Sequence, residues 1–233
     1  MFLIVPALLV AACGGSGGKS AGGTTVPPPG QPTSTASPKP DSPMSVKAKA
    51  AVFQATDFPP GFEAQPEEPG QGLAIETLWS ELTRCLGVDS GADRSGIATS
   101  PTFKQGLATQ GRSTVEYASD ASSATLAAAL TGPKSQGCLM TAFAADLDRS
   151  KPAGAKPGAV KVTPRDVAPL GQKVLAWRIE AKVNLDELVV PLFQDFLVVF
   201  KGGVVIRTFF LSPGNEFPQT LERSLVEKVV GRA

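Results

Sequence analysis

The chain has 233 residues, with 22 Lys plus Arg against 21 Asp plus Glu, three cysteines and no histidine. The missing histidine removes Ser-His-Asp and Cys-His catalysis, the H-E-x-x-H metal site and most zinc chemistry. The even charge, with no long block of either sign, indicates no broad basic face for nucleic acid or anionic lipid.

In chain order, the first element is the apolar run Phe2 to Val10. It is nine residues long, the length of the hydrophobic region of an export signal and far below the roughly 20 needed to span a bilayer. It ends in Val10-Ala11-Ala12-Cys13-Gly14-Gly15, which looks like a bacterial lipoprotein processing site. Small residues fit a peptidase that cuts before a cysteine, and the Cys13 thiol would take a diacylglycerol through a thioether. Residues 1–12 are therefore expected to be a removable signal peptide, and Cys13 a lipid anchor at the outer face of the cell membrane. No Lys or Arg precedes Lys19, so the basic start of the signal is expected upstream, as for a translation start assigned too late. Two or more acyl chains would make the anchor durable.

Residues 13–44 read as the lipidated cysteine and a disordered tether. Gly14 to Met44 holds seven Gly, seven Pro, five Ser and four Thr and almost no large apolar side chain, so it cannot bury a core. Its Gly/Ser part is flexible and its Pro-rich part extended, for a reach of roughly 30 to 60 Å. The Ser and Thr residues between prolines either accept sugars or stay bare. Gly14 to Ser20 resembles the end of a phosphate-binding P-loop, and Ser16-Gly17-Gly18-Lys19 spells the S-x-x-K of penicillin-binding enzymes. The first lacks its preceding strand and the second a rigid surround, so neither is assigned chemistry.

Residues 45–233 have the length of one ordinary domain. Composition predicts a helix over Ser45 to Thr56, stopped by Asp57-Phe58-Pro59-Pro60-Gly61, then a short strand, Phe62 to Gln65. Ile75, Leu78, Trp79, Leu82 and Leu86 recur at helical spacing and predict an amphipathic helix from Leu73 to Leu86, with Gly87 as its stop. Ile97 to Lys104 and Arg112 to Ser119 read as strands. Asp120 is the expected N-cap of an Ala-rich helix through Leu130, followed by a helix over Ser135 to Leu147 and a loop from Arg149 to Gly158. Val174 to Leu185 alternates as a half-buried strand, and Leu192 to Phe200 and Val204 to Leu211 flank a tight turn at Gly202-Gly203. An earlier hairpin turns near Asp186-Glu187, and the chain closes with a helix over Phe217 to Val230. The sum is an α+β fold, an antiparallel β-sheet flanked by helices, in a single domain after the tether.

If the hairpins turn at those two points, Trp177, Ile179, Phe196, Val198, Phe200, Val205 and Phe209 share one sheet face, the evident core face. The opposite face gathers Phe193, Leu197, Val199, Ile206 and Phe210 beside Arg178 and Asp195, which stand across from each other as a cross-strand ion pair. Arg178, Phe193, Asp195, Leu197 and Phe210 form the candidate ligand face, since a groove needs an apolar wall with a few fixed polar groups. The competing expectation is that further helices cover this face. Trp79 and Trp177 lie on apolar faces and are expected in the core. Glu67-Glu68, Asp146/Asp148 and Asp186-Glu187 pair carboxylates as glycosidases do, but sit in expected loops or helix ends and read as solvated surface. An exported chain meets an oxidising compartment, and once Cys13 is acylated only Cys85 and Cys138 remain, each on a predicted helix of one core, so they are expected to form a disulfide.

The arrangement of Thr56-Asp57-Phe58-Pro59-Pro60-Gly61-Phe62, Arg84-Cys85-Leu86-Gly87-Val88, Ala98-Thr99-Ser100-Pro101-Thr102-Phe103 and Gly137-Cys138-Leu139 resembles a group of actinobacterial envelope lipoproteins. Those are similar to the extracytoplasmic sensor domains of mycobacterial receptor serine/threonine kinases. The resemblance covers roughly residues 45–233 and implies a helix-flanked antiparallel sheet with a groove at the cell envelope. This chain shows neither a spanning run nor a kinase domain, so direct signalling across the membrane is not expected of it. Together these features predict a membrane-anchored, non-enzymatic module that binds a small molecule, a lipid or an envelope protein. An accessory lipoprotein serving envelope assembly or a membrane protein is the alternative, and neither cofactor, metal nor nucleic acid is expected.

Overall fold

The computed structural model describes residues 41–65, 75–89, 93–106, 109–150, 156–185 and 188–233. Chain contacts separate Met1–Lys39 from Pro40–Ala233. The signal, Cys13 and almost all of the tether therefore lie outside the described residues, as do Glu67, Glu68, Asp186 and Glu187.

Among the described residues five α-helices and nine strands follow in chain order: α1 (Pro43–Ala51), β1 (Phe62–Gln65), α2 (Ile75–Leu86), β2 (Gly96–Thr99), β3 (Thr102–Gln105), β4 (Thr109–Tyr117), α3 (Asp120–Thr131), α4 (Ser135–Ser150), β5 (Lys156–Pro157), β6 (Lys161–Pro164), β7 (Lys173–Leu185), β8 (Leu188–Lys201), β9 (Val204–Pro213) and α5 (Gln219–Arg232). The strands form one antiparallel sheet in the order β1-β3-β4-β9-β8-β7-β5, with β2 alongside β4 and β6 alongside β7. This is the expected α+β architecture.

Several local differences from the sequence reading have clear causes. Helix α1 stops at Ala51, short of Thr56, because the Phe53 amide donates to Ser113 Oγ at 2.8 Å and Arg232 takes the carbonyls of Ala51 and Val52. The strand expected over Ile97 to Lys104 breaks into β2 and β3 at Ser100-Pro101, since proline has no amide for the ladder. Thr99 faces Thr114 while Phe103 faces Gly111, one residue more on this side than on β4. That extra residue makes a bulge, closed by Ser113 N–H donating to Ser100 Oγ at 3.1 Å. Ser119, not Asp120, caps α3, accepting the Ser122 amide at 3.1 Å. The expected loop from Arg149 to Gly158 contains the last turn of α4 and strand β5, while the unpredicted β6 covers the outer edge of β7. Strands of two and four residues ending in proline carry too little alternation to be read from sequence.

The hairpin register is the expected one. Leu185 pairs with Leu188, Trp177 with Phe196 and Arg178 with Asp195, while Lys201 pairs with Val204 across Gly202-Gly203. Gly202 has φ +58°, and a Cβ on Gly203 would lie 2.4 Å from the Ala118 carbonyl oxygen, so the turn needs glycine at both positions. Trp177, Ile179, Phe196, Val198, Phe200, Val205 and Phe209 all enter one core with Leu78, Trp79 and Leu82 of α2, Leu126 and Leu130 of α3, and Leu139 and Phe143 of α4. Cys85 and Cys138 form a disulfide that joins α2 to α4 in this layer.

The opposite face is also closed. Leu197, Val199, Ile206 and Phe210 pack beneath Ala48 and Ala51 of α1 and Leu225, Val226 and Val229 of α5, with Phe53, Phe58, Phe103 and Phe217 filling the gaps. Phe210 lies 4.7 Å from Phe217 and 5.8 Å from Phe53, ring centre to ring centre. Phe210 is thus a core residue and not the wall of an open groove, and Leu197 is buried almost as completely. Both faces carry too much apolar surface for either to stay in water.

Two outcomes follow. Phe210→Asp should lower unfolding stability by several kcal/mol in urea denaturation, whereas the half-buried Phe193→Asp should cost far less. The 41–233 domain, denatured without reductant, should titrate no thiol, and Cys85→Ala/Cys138→Ala should lose roughly 4 kcal/mol by the loop-entropy relation.

Candidate functional site

The sequence-expected polar residues lie in one transverse row. Thr163 of β6, Arg178 of β7, Asp195 of β8, Phe210 of β9 and Gly111 of β4 are successive register partners. On the helix-covered face next to this row, Arg178 grips Asp195 with Nε to Oδ1 and Nη2 to Oδ2, both at 2.9 Å. Arg165, just past β6, places Nη1 3.1 Å from Asp195 Oδ1 and 3.0 Å from each carboxylate oxygen of Glu222 in α5. Glu216 closes the set by pairing with Arg178 Nη1. Two guanidiniums therefore serve three carboxylates.

Burial makes this cluster matter. The side chain of Asp195 is 1% exposed, Glu222 3%, Arg178 11% and Arg165 12%. Burial is the main force on Glu222 and pushes its carboxyl up to about 7; Arg165 pulls it back and Asp195 pushes it further. Hydrogen bonding to Asp195 raises Arg178 above its ordinary value, so this guanidinium is charged at every pH of interest. Beside the cluster a cleft of about 260 Å3 is lined by Arg165, Val167, Leu170, Leu197, Gln219 and Glu222 among others. Of the expected ligand face, Leu197 lines this cleft, while Arg178 and Asp195 stand behind its wall and reach it through Arg165. The fold sends Phe210 into the core beneath, leaves Phe193 half-buried two residues beyond Asp195 on the same strand, and puts the cysteines in the other layer.

A second buried ionic group escaped the sequence reading. Arg207 of β9 points into the first core between Val205 and Phe209, is fully buried, and holds its guanidinium 4.6 Å from the Trp79 ring centre. Its Nη2 lies 3.3 Å from Glu116 Oε2, which Arg94 also reaches at 3.2 Å. Its Nη1 is 3.6 Å from Glu76 Oε2, an ion pair longer than a hydrogen bond. Burial pulls the Arg207 value down and Glu76 and Glu116 oppose it, but an arginine stays protonated under such pressure. The signal was available: Val205, Arg207 and Phe209 share a face by alternation, and the arginine interrupts an apolar series.

The remaining candidates have structural positions. Trp79 and Trp177 are core residues. Asp146 is buried, its carboxyl pushed above the usual range by that burial, and it meets Arg149, which also donates to Glu81 of α2. Among the described residues no His, Cys, Asp or Glu trio converges as a metal site, and no helix is long and apolar enough to cross a membrane. No family model matches the chain, and no curated protein matches it.

Removing one partner from the transverse pair tests its weight. Arg178→Ala should cost about 3 kcal/mol or more in chemical denaturation because it leaves Asp195 buried with less compensation, while the double change Arg178→Met/Asp195→Leu should recover much of the loss.

Proposed function

We propose that this protein is a lipid-anchored lipoprotein at the outer face of the cell membrane whose folded domain is a non-enzymatic binding or interaction module. The observation that carries the reading is the disposition of the cysteines. Cys85 and Cys138 bond to each other, which leaves Cys13 as the one thiol for lipid, behind an apolar run and three small residues. A disulfide between two core helices also suits an oxidising compartment. The likeness to actinobacterial envelope lipoproteins points the same way.

Support for binding over catalysis comes from how the acids are used. Asp195, Glu222 and Glu116 are each engaged by guanidiniums, and the chain has no histidine for Ser-His-Asp or Cys-His catalysis. Such arrangements hold elements in place.

One feature favours the accessory-lipoprotein reading, in which a membrane or envelope protein is the partner. Strand β8 starts at Leu188, four residues before Leu192, the first of its residues to pair with β9, opposite Pro213. Leu188 and Val189 on this projecting hairpin are 61% and 52% exposed. An exposed apolar tip of this kind suits a contact with another protein.

The anchor is tested by Cys13→Ala in the full-length chain. The wild type should enter the detergent phase on Triton X-114 partition and incorporate labelled palmitate, and the variant should do neither; unchanged retention with normal cleavage overturns the anchor. A photocrosslinking residue at Val189 should capture one envelope protein if the accessory reading holds. Native mass spectrometry of the 41–233 domain should instead reveal a retained small molecule if the ligand-binding reading holds.

A further inference from the structure

Helix α5 seals half of the second sheet face with the stripe Glu222, Leu225, Val226 and Val229, the spacing of one helical face. Three of those positions are apolar and sit fully buried on the sheet, while the first is a carboxylate. The two ends of the helix are held differently from its middle. At the far end Arg232 donates to Asp57 at 2.7 and 2.8 Å and Lys228 donates to the Asp57 carbonyl at 2.7 Å. At the near end the first turn is held through Glu222, whose two oxygens share one nitrogen of Arg165.

The two buried acids at that near end share a donor. Arg165 lies between Glu222 and Asp195, and Arg178 between Asp195 and Glu216. Asp166 and Arg223 rim the adjoining cleft, and Arg223 is paired along the helix with Glu227 at 2.7 Å. Glu216 is half exposed, so water screens its charge; the two buried acids, Asp195 and Glu222, both draw on Nη1 of Arg165, at 3.1 and 3.0 Å, while Arg178 is committed through two nitrogens to Asp195. Of these two buried acids, Glu222 is held by Arg165 alone among the described residues, whereas Asp195 also has Arg178, and Glu222 sits beside the like charge of Asp195.

We infer that Glu222 is a proton-operated catch for the front half of α5. With Glu222 protonated it no longer repels Asp195 and the helix lies flat along its length. With Glu222 ionised, repulsion between the two buried carboxylates on one shared nitrogen loosens the first two turns, while Val226, Val229 and the Arg232 clasp keep the far half docked. The opening widens the cleft lined by Leu170 and Leu197 and exposes apolar sheet surface that is covered in the closed state. The direction follows from linkage. Glu222 stands at about 7 in the fold against an ordinary 4.5, so its contribution to closure is complete below about pH 4.5 and is lost as pH rises through about 7. The catch is independent of lipidation and of any ligand.

Hydrogen exchange on the 41–233 domain at pH 5.5 and 8.0, corrected for intrinsic rates, tests it. Amides of Leu221 to Leu225 should lose protection by roughly tenfold or more at the higher pH, and those of Val229 to Arg232 by much less. Glu222→Gln should hold the first group at one level at both pH values. Equal protection of the wild type at both pH values, or an undiminished pH response in Glu222→Gln, overturns the catch. Should Glu222→Gln fail to fold, a 13C titration of the Glu222 carboxyl in the wild type decides: a midpoint near 7 supports the catch and an ordinary glutamate midpoint overturns it.

Discussion

Residues 194–200 and 204–210 are buried without a break, so the middle of β8 and β9 has no solvent side. A strand pair apolar on both faces must be covered twice, and one stretch of chain cannot do both. Here α2, α3 and α4, which follow one another, cover one face. The other is covered by α1 and α5, which lie at opposite ends of the folded unit. Antiparallel sheets more often keep one wet face; this one gave that up in its central strands, and with it the open groove an exposed second face would have offered.

Covering two faces leaves the problem of fixing each helix along the sheet, because apolar contact is non-directional. The buried charges lie where that choice is made. Arg165 joins the loop after β6 to α5, and Arg232 joins α5 to the end of α1 and the turn at Asp57. Arg207 ties β9 to β4 and to Glu76 at the start of α2. Buried ion pairs contribute little net stability because desolvation offsets their attraction. Each of these, however, becomes strongly unfavourable when its partner moves away, and that selects one docking position over its neighbours.

The hairpins and the first core were legible because period-2 alternation and a Gly-Gly turn fix register locally, and register fixes which side chains share a face. Pairing of Arg178 with Asp195 followed from the same arithmetic. What alternation cannot say is whether a second apolar face is open, since that depends on where distant helices dock; the stripe of α5 reads the same on either face. Arg165 and Glu222 were missed for a similar reason. One sits in an irregular stretch and the other in a helix first turn, and only the packed structure brings them to Asp195. Short strands such as β5 and the proline break between β2 and β3 carry too few residues for a pattern.

The disulfide has a consequence in the order of events. Cys85 and Cys138 both precede residue 173, where the long hairpin that the helices cover begins. A chain that emerges amino end first can therefore link α2 to α4 before the strands beneath them exist. The cross-link would then present β7, β8 and β9 with a paired-helix template, and those strands, joined by short turns, need only local contacts to form. The pairing of β9 with β4 closes the longest loop in the sheet and so carries its largest closure entropy. α5, which follows β9 in the chain, can cover the second face only once that strand is in place.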